Sequence, residues 1–342
     1  MVDESWEALL PPLLVAAGIV AAGPVDVEPL TGGVSSDIVR VRLADGRLLC
    51  AKRALPKLKV ASDWQAPLER NHYEIAWLQL AGRIVPGAAP RVLGEDRAHG
   101  IALLEFLPPD DYRLWKAELL AGRADPATPF AVADALGRIH AATLNDREVA
   151  ASFATDALFD ALRLDPYLRT LAARQPGLAH PILDVLAETA ATRLALVHGD
   201  VSPKNILVSK ADGHPVLLDA ECAWYGDPAF DAAFCLNHLL LKSVHLPAIR
   251  AALLHQAADF FSVWIGHFPA ALRRDTERRA ARLLACLMLA RVDGKSPVEY
   301  LSATEQQTVR NIAMPLVADP IDTVGAVIAR TGAHLAGAED ER

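Results

Sequence analysis

Polar and apolar residues alternate from Asp37 to Leu43, the pattern of a half-buried strand. Asp45-Gly46 follows, a strong hairpin signal, and Leu48-Leu49-Cys50-Ala51-Lys52 runs back. From Glu69 to Ala81 the spacing turns helical, with Tyr73, Trp77, Leu78 and Leu80 as its apolar positions, until Pro86 and Pro90 break it. Ile101 to Leu107 reads as a buried strand, ended by Pro108-Pro109. Beyond it helices dominate: Phe130 to Thr143, Pro181 to Arg193, and most of the chain after Phe230. A short strand-rich interval interrupts them. Leu194 to His198 is expected to pair with Ile206-Leu207-Val208, and Val216-Leu217-Leu218 follows Asp212-Gly213. Strands first and helices afterwards predict an α+β chain of two lobes, residues 1–107 and 108–342.

Length and composition agree with that picture. The 342 residues are 52% hydrophobic, enough to build a sizeable core. The net charge of −8 argues against a nucleic-acid partner. Cys50, Cys222, Cys235 and Cys286 lie far apart with no C-x-x-C pair, which suggests reduced thiols and a cytoplasmic location. Ala8 to Val25 carries no charge, but Pro11, Pro12, Gly18, Gly23 and Pro24 and an acidic flank disfavour a membrane span or a signal peptide. It is expected to pack before the first strand. Arg273, Arg274, Arg278, Arg279 and Arg282 interleave with Asp275 and Glu277 and read as a solvated helix face. His238, His245 and His255 are too widely spaced to suggest a metal site.

Candidate chemistry concentrates in VHGDVSPKNILV, residues 197–208, and in Asp219-Ala220-Glu221, which begins 14 residues after Asn205. A carboxylate, an amide five residues on, and further carboxylates after a short hairpin offer hard oxygen ligands for Mg²⁺ and a general base. The loop pinned by Pro203 would hold both side chains in one cleft. Taken alone, an Asp-x-x-x-x-Asn spacing reads as a stabilised turn; the flanking apolar strands and the second acid at Asp219 change that reading.

HGDVSPKNILV resembles the catalytic loop of the aminoglycoside phosphotransferase and choline kinase family, and LLDAECAWYGDPAFDAAFCL resembles its metal-binding segment. The resemblance runs from about Leu30 to Leu241. It implies a protein-kinase-like fold and transfer of the ATP γ-phosphate to a hydroxyl of a small metabolite or antibiotic, with Mg²⁺. On this resemblance Asp200 is the base, Asn205 and Asp219 hold the metal, and Glu221 supports a second metal or a water. His198 braces the loop, and Asp227 and Asp231 stabilise backbone amides. Gly32, Gly33, Ser35 and Ser36 cover the phosphates, although the segment departs from G-x-G-x-x-G. Lys52 holds the phosphates and pairs with Glu74, or with Glu69 if the helix register shifts. Glu105 and Leu107 frame a hinge whose backbone meets adenine. Arg291, Asp293 and Lys295 are acceptor-pocket candidates, where a helix-ending loop fits equally well. The rival reading is a nucleotide-binding regulatory module of the same fold without catalysis. The joint presence of Lys52, Asp200, Asn205 and Asp219 argues against it. A protein kinase would show D-F-G and A-P-E, which this chain lacks.

Overall fold

The computed structural model describes residues 5–20, 23, 25–30, 36–55 and 67–340. The apolar N-terminal segment forms helix α1 (Trp6–Ala16). It is followed by strands β1 (Asp26–Pro29), β2 (Ser36–Arg42) and β3 (Leu48–Ala54), then helix α2 (Arg70–Ile84), then β4 (Val92–Asp96) and β5 (Ile101–Glu105). These strands make one antiparallel sheet in the order β1-β2-β3-β5-β4. Gly46 turns the β2–β3 hairpin at φ +87°, a conformation open to glycine at little cost. Leu9, Leu10, Leu13 and Leu14 of α1 close one small core with Val39, Val41, Leu49, Ala51, Ile101 and Leu103 of the sheet. The uncharged segment is thus packed at its helical start, as its prolines and acidic flank suggest. No single helix among the described residues is long and apolar enough to cross a membrane.

Beyond β5 come β6 (Tyr112–Leu114), α3 (Trp115–Leu120), α4 (Ala127–Ala142), and the short helices α5 (Arg147–Ser152) and α6 (Asp156–Phe159). A π-helical stretch, Asp160–Arg169, leads into α7 (Thr170–Arg174) and α8 (Ala179–Ala191). Strands β7 (Ala195–Val197), β8 (Ile206–Ser209), β9 (Pro215–Leu217) and β10 (Trp224–Gly226) precede five long helices: α9 (Ala229–His245), α10 (Arg250–Gly266), α11 (Ala270–Asp293), α12 (Ala303–Ala318) and α13 (Val324–Asp340). A second, much larger core fills this region. It also takes in Ile75, Trp77, Leu78 and Ala81 of α2.

Two expectations change. The stretch before His198 does not pair with Ile206-Leu207-Val208: β7 pairs with β10, and β8 pairs with β9 across Asp212-Gly213 and with β6 on its other edge. A three-residue strand has too little local pattern to choose its partner, and the turn signal chose the neighbour of β8. The arginine run is also only partly solvated. Arg278 reaches Glu188 and Arg282 reaches Asp322, but Arg279 is 6% exposed and binds Asp227 with Nε to Oδ2 at 2.8 Å. A buried carboxylate needs such a partner, and Asp227 also accepts the Ala229 N–H at the start of α9.

Candidate active site

The loop after β7 is held from behind by Asp231, in the first turn of α9. Its Oδ2 accepts the His198 N–H at 2.7 Å and its Oδ1 the Gly199 N–H at 2.8 Å. Asp231 is held in turn by His140 Nε2 at 3.1 Å, and His140 Nδ1 accepts the Trp264 indole N–H at 3.0 Å. With Nδ1 accepting, the imidazole proton sits on Nε2 and points at Asp231. All of these groups are fully buried. Gly199 has φ +82°, and a Cβ there would lie 2.8 Å from both Cβ and O of Cys222, so this turn requires glycine.

His198 braces the loop as the resemblance implies. Nδ1 accepts the Asp200 N–H at 3.1 Å and Nε2 donates to the Leu218 carbonyl at 3.1 Å. Its ring meets Trp77 of α2 edge-on, 4.6 Å between centroids. Burial lowers its pKa despite the nearby carboxylates, so it stays neutral.

Asp200 is 4% exposed. Its Oδ2 lies 3.1 Å from Arg163 Nη2 and 3.0 Å from Lys204 Nζ. Burial favours the neutral acid, but the Lys204 and Arg163 cations outweigh it and hold the carboxyl below its usual range. Arg163 comes from the π-helical stretch, also donates to the Gly199 and Leu162 carbonyls, and went unnoticed in the sequence. The available signal was Pro166, a proline inside a helix-like run, where a wide turn relieves the missing N–H.

Asn205 Nδ2 donates to the Asp200 carbonyl at 3.1 Å, which orients the amide and leaves Oδ1 as the atom that a cation would meet. Asp219 has φ +67°, uncommon for any residue but glycine. Its Oδ1 is 2.5 Å from Lys52 Nζ, and Lys52 also meets Glu74 Oε1 at 2.7 Å. The α2 register thus brings Glu74, rather than Glu69, onto Lys52. Burial raises the Asp219 pKa, but the Lys52 and Lys204 cations reverse this and keep it well below the usual carboxylate range. Glu221 turns away to Arg70 of α2, Nε to Oε2 3.0 Å, and Arg70 also holds the Leu55 and Pro67 carbonyls. Among the described residues no group of three or more His, Cys, Asp and Glu side chains converges on one point. Two hard oxygen donors, from Asn205 and Asp219, nevertheless fit Mg²⁺, which completes its shell with phosphate and water.

The remaining candidates are placed as follows. Gly32, Gly33 and Ser35 lie outside the described residues. Ser36 opens β2, 2% exposed, its Oγ without a partner among the described residues. Glu105 binds Arg91 through both carboxylate oxygens, at 2.8 Å each, and Leu107 is half-buried at the exit of the sheet. Arg291 donates to Tyr167 Oη at 3.1 Å and to the Ser296 carbonyl at 2.6 Å. Asp293 is occupied by Arg310 (2.8 Å) and Gln175 (2.7 Å), and so ties helices together. The backbone N–H of Lys295 donates to the Pro166 carbonyl.

The model of the phosphotransferase enzyme family matches residues 26–262. The chain belongs to this family. Among curated proteins it is similar to the methylthioribose kinase of Pectobacterium atrosepticum, 27% identical over 230 residues, 58% of this chain and 56% of that protein. The methylthioribose kinase of Erwinia tasmaniensis is 25% identical over 234 residues. The chain thus spans just over half the length of these relatives. Among solved structures it is similar to an ethanolamine kinase of Plasmodium vivax (TM-score 0.50, 12% identity, 92% of this chain and 81% of that one). A similar match is an amicoumacin kinase in complex with AMP-PNP, Ca²⁺ and Ami (TM-score 0.50, 14% identity, 87% and 90%). At such identities the likeness is one of fold. The family's fold is protein-kinase-like, α+β, with a strand-rich sheet region and a mostly helical remainder.

Proposed function

We propose that the protein transfers the γ-phosphoryl group of ATP to a hydroxyl of a small molecule. The observation that carries this reading is the meeting of Lys52, Glu74 and Asp219, contributed by β3, α2 and the segment after β9, beside a loop that presents Asp200 and Asn205. In this reading residues 1–107 bind the nucleotide, and residues 108–342 carry the catalytic groups and bind the acceptor. Lys52 holds the phosphates, with Glu74 fixing its position. Ser36 and the neighbouring glycine segment cover them, and the Glu105–Leu107 backbone meets the base.

Asn205 and Asp219 would hold Mg²⁺, which supplies charge neutralisation on the phosphates. Glu221, bound to Arg70, supports the loop from behind. Asp200 Oδ2 is committed to Arg163 and Lys204, while Oδ1 takes only a long hydrogen bond from the Ser202 hydroxyl, 3.4 Å, and is the oxygen that would accept the hydroxyl proton. A carboxyl held below its usual range is a weak base. It orients the hydroxyl and takes the proton late, as a loose phosphoryl-transfer transition state permits.

The test is ADP release by the full chain with a panel of hydroxylated metabolites and antibiotics, alongside Asp200→Asn. Turnover with at least one acceptor is expected, lowered about 10²–10⁴-fold in the variant. Normal turnover by the variant on that acceptor would remove Asp200 from its role.

A further inference from the structure

Beside the catalytic loop lies a small cavity of about 40 Å³, lined by Pro203 and Lys204 on one side and by α9, the end of α11 and the segment after it on the other. Phe234, His238 and Lys242 follow one another at helical spacing along α9, and the last two face the cavity. Lys242 is 1% exposed, and its ammonium lies 4.8 Å over the Tyr300 ring. Among the described residues no carboxylate forms an ion pair with it. Three more cations line the space: Lys116, Lys204 and Arg291. Glu299 is the one carboxylate in the lining, and it is already paired with Lys116.

Several polar atoms here are buried without a partner among the described residues. They are His238 Nε2, Arg291 Nε and Tyr300 Oη, and His238 is 6% exposed. Buried donors left unpaired are costly, and so is a buried cation without an anion. Lys204 connects this space to the chemistry, since its Nζ is 3.0 Å from Asp200 Oδ2.

From this arrangement we infer that the phosphoryl acceptor is an anion: a small hydroxylated acid whose carboxylate enters the cavity against Lys242, His238 and Arg291 while its hydroxyl reaches Asp200. The inference rests on the phosphotransfer reading and deepens it. The cavity has room for about three water-sized positions, which suits a carboxylate and not a sugar ring. A carboxylate would take hydrogen bonds from the unpaired donors and compensate Lys242. The same cations repel amines, so a polycationic or quaternary-ammonium acceptor would find no counter-charge there. The ionisation of Lys242 agrees. Burial, reinforced by Lys116 and Arg291 against Glu299, holds its pKa down to about 7, as expected for an ammonium lacking its anion.

The experiment compares matched sets on the full chain: glycerate, glycerol and aminopropanediol; and gluconate, glucose and glucosamine. Binding is read by thermal shift with Mg²⁺ and AMP-PNP, and phosphorylation by ADP release with Mg·ATP. The acid of at least one set is expected to bind about tenfold or more tighter than its neutral partner, and the amine weakest. Lys242→Met should raise KM for that acid and narrow the acid-to-neutral preference by about tenfold. Where that variant does not fold, Lys116→Met at the rim, which leaves Glu299 unpaired, should shift the preference in the same direction. Amines or neutral compounds binding as well as the acids, or no acid binding at millimolar concentration, would overturn the inference, and turnover of amines would then leave the kinase reading standing. Conversely, acids that bind without any Mg·ATP binding or ADP release would sink the phosphotransfer reading and leave the anion site standing.

Discussion

Single residues in this molecule are set by their counter-charges. Lys52 is buried between Glu74 and Asp219, and these carboxylates outweigh the burial that would otherwise neutralise it. Removing one member of such a group leaves an uncompensated buried charge, a loss of about 3–5 kcal/mol. Lys52→Met should therefore lower the unfolding midpoint as well as weaken ATP binding. Glu74→Gln, which keeps an oxygen near the lysine, should do both more mildly. Equal ATP affinity in Lys52→Met and the parent, by titration calorimetry, would contradict the phosphate-holding role.

Lys242 has the opposite sign. Its folded pKa of about 7 lies below the usual lysine value of about 10.4. Between those values the unfolded chain holds the proton and the folded chain does not, so stability rises with pH across that window. The destabilisation is fully present below about pH 7. The groups facing the ammonium are Lys116, Arg291, Glu299 and Cys235 as charged or titratable neighbours, with Tyr300 against it and His238 and Lys204 in the same lining. Lys242→Met lacks this term. Its stability relative to the parent should be greatest near pH 6 and decline toward pH 10, by at most about 1.4 kcal/mol per pH unit. A pH-independent difference in denaturant midpoints would refute the assignment.

Among the elements, those with local turn chemistry were legible and those with distant partners were not. Asp45-Gly46 and Asp212-Gly213 announce their hairpins, and both form around glycines at positive φ. The resemblance and the apolar spacing of α2 narrowed the partner of Lys52 to Glu74 or Glu69, and the observed register brings Glu74 onto it. The β7–β10 pair joins residues 195–197 to 224–226, and nothing in three residues names a partner that far along the chain. The π-helical stretch was missed because its periodicity resembles an α-helix, and with it went Arg163. Lys242, and any role for His238 other than a metal ligand, escaped for a related reason. At helical spacing within an apolar helix both residues look like core positions, and it takes Pro203 and Lys204 of the catalytic loop, α3, the end of α11 and the Tyr300 segment to turn that face into a cavity.

The Asp231 support belongs to this scale, because it joins α4, α9 and α10 to the loop after β7. Asp231→Asn keeps the shape but offers one acceptor oxygen to the two N–H groups of His198 and Gly199. Hydrogen bonds to a charged group contribute about 1.5–3 kcal/mol each, so a loss of roughly 2–4 kcal/mol in denaturant unfolding is expected. Trp264→Phe removes the donor to His140 and part of a buried ring, so it should cost about 1–3 kcal/mol for the unpaired acceptor and more for the cavity. A neutral Asp231→Asn would mean that the loop is held by its own turn geometry.

Across the whole molecule, helix α2 joins the sheet to the loop after β7 at the candidate site. The small core binds α1 to the sheet, while the large core reaches from the C-terminal helices into α2. Helix α2 faces both ways. Glu74 meets Lys52 of the sheet, Arg70 meets Glu221, and Trp77 packs on His198. Every contact in this set depends on how the sheet sits over the loop after β7. A ligand that bridges Lys52 to Asp219 and Asn205 should therefore stabilise the chain as one body. Ligand linkage gives about 2.7 kcal/mol at a concentration one hundred times Kd. Mg·ATP should accordingly raise the unfolding midpoint by several degrees in a single cooperative step. ATP with a chelator should raise it much less, because Asn205 and Asp219 then have only phosphate charge to face. Asp219→Asn should lose the difference between the two conditions, and Asp200→Asn should keep it, since Asp200 faces the acceptor. A shift unchanged by the chelator, or one lost equally in both variants, would show that the nucleotide is held by something other than this cluster.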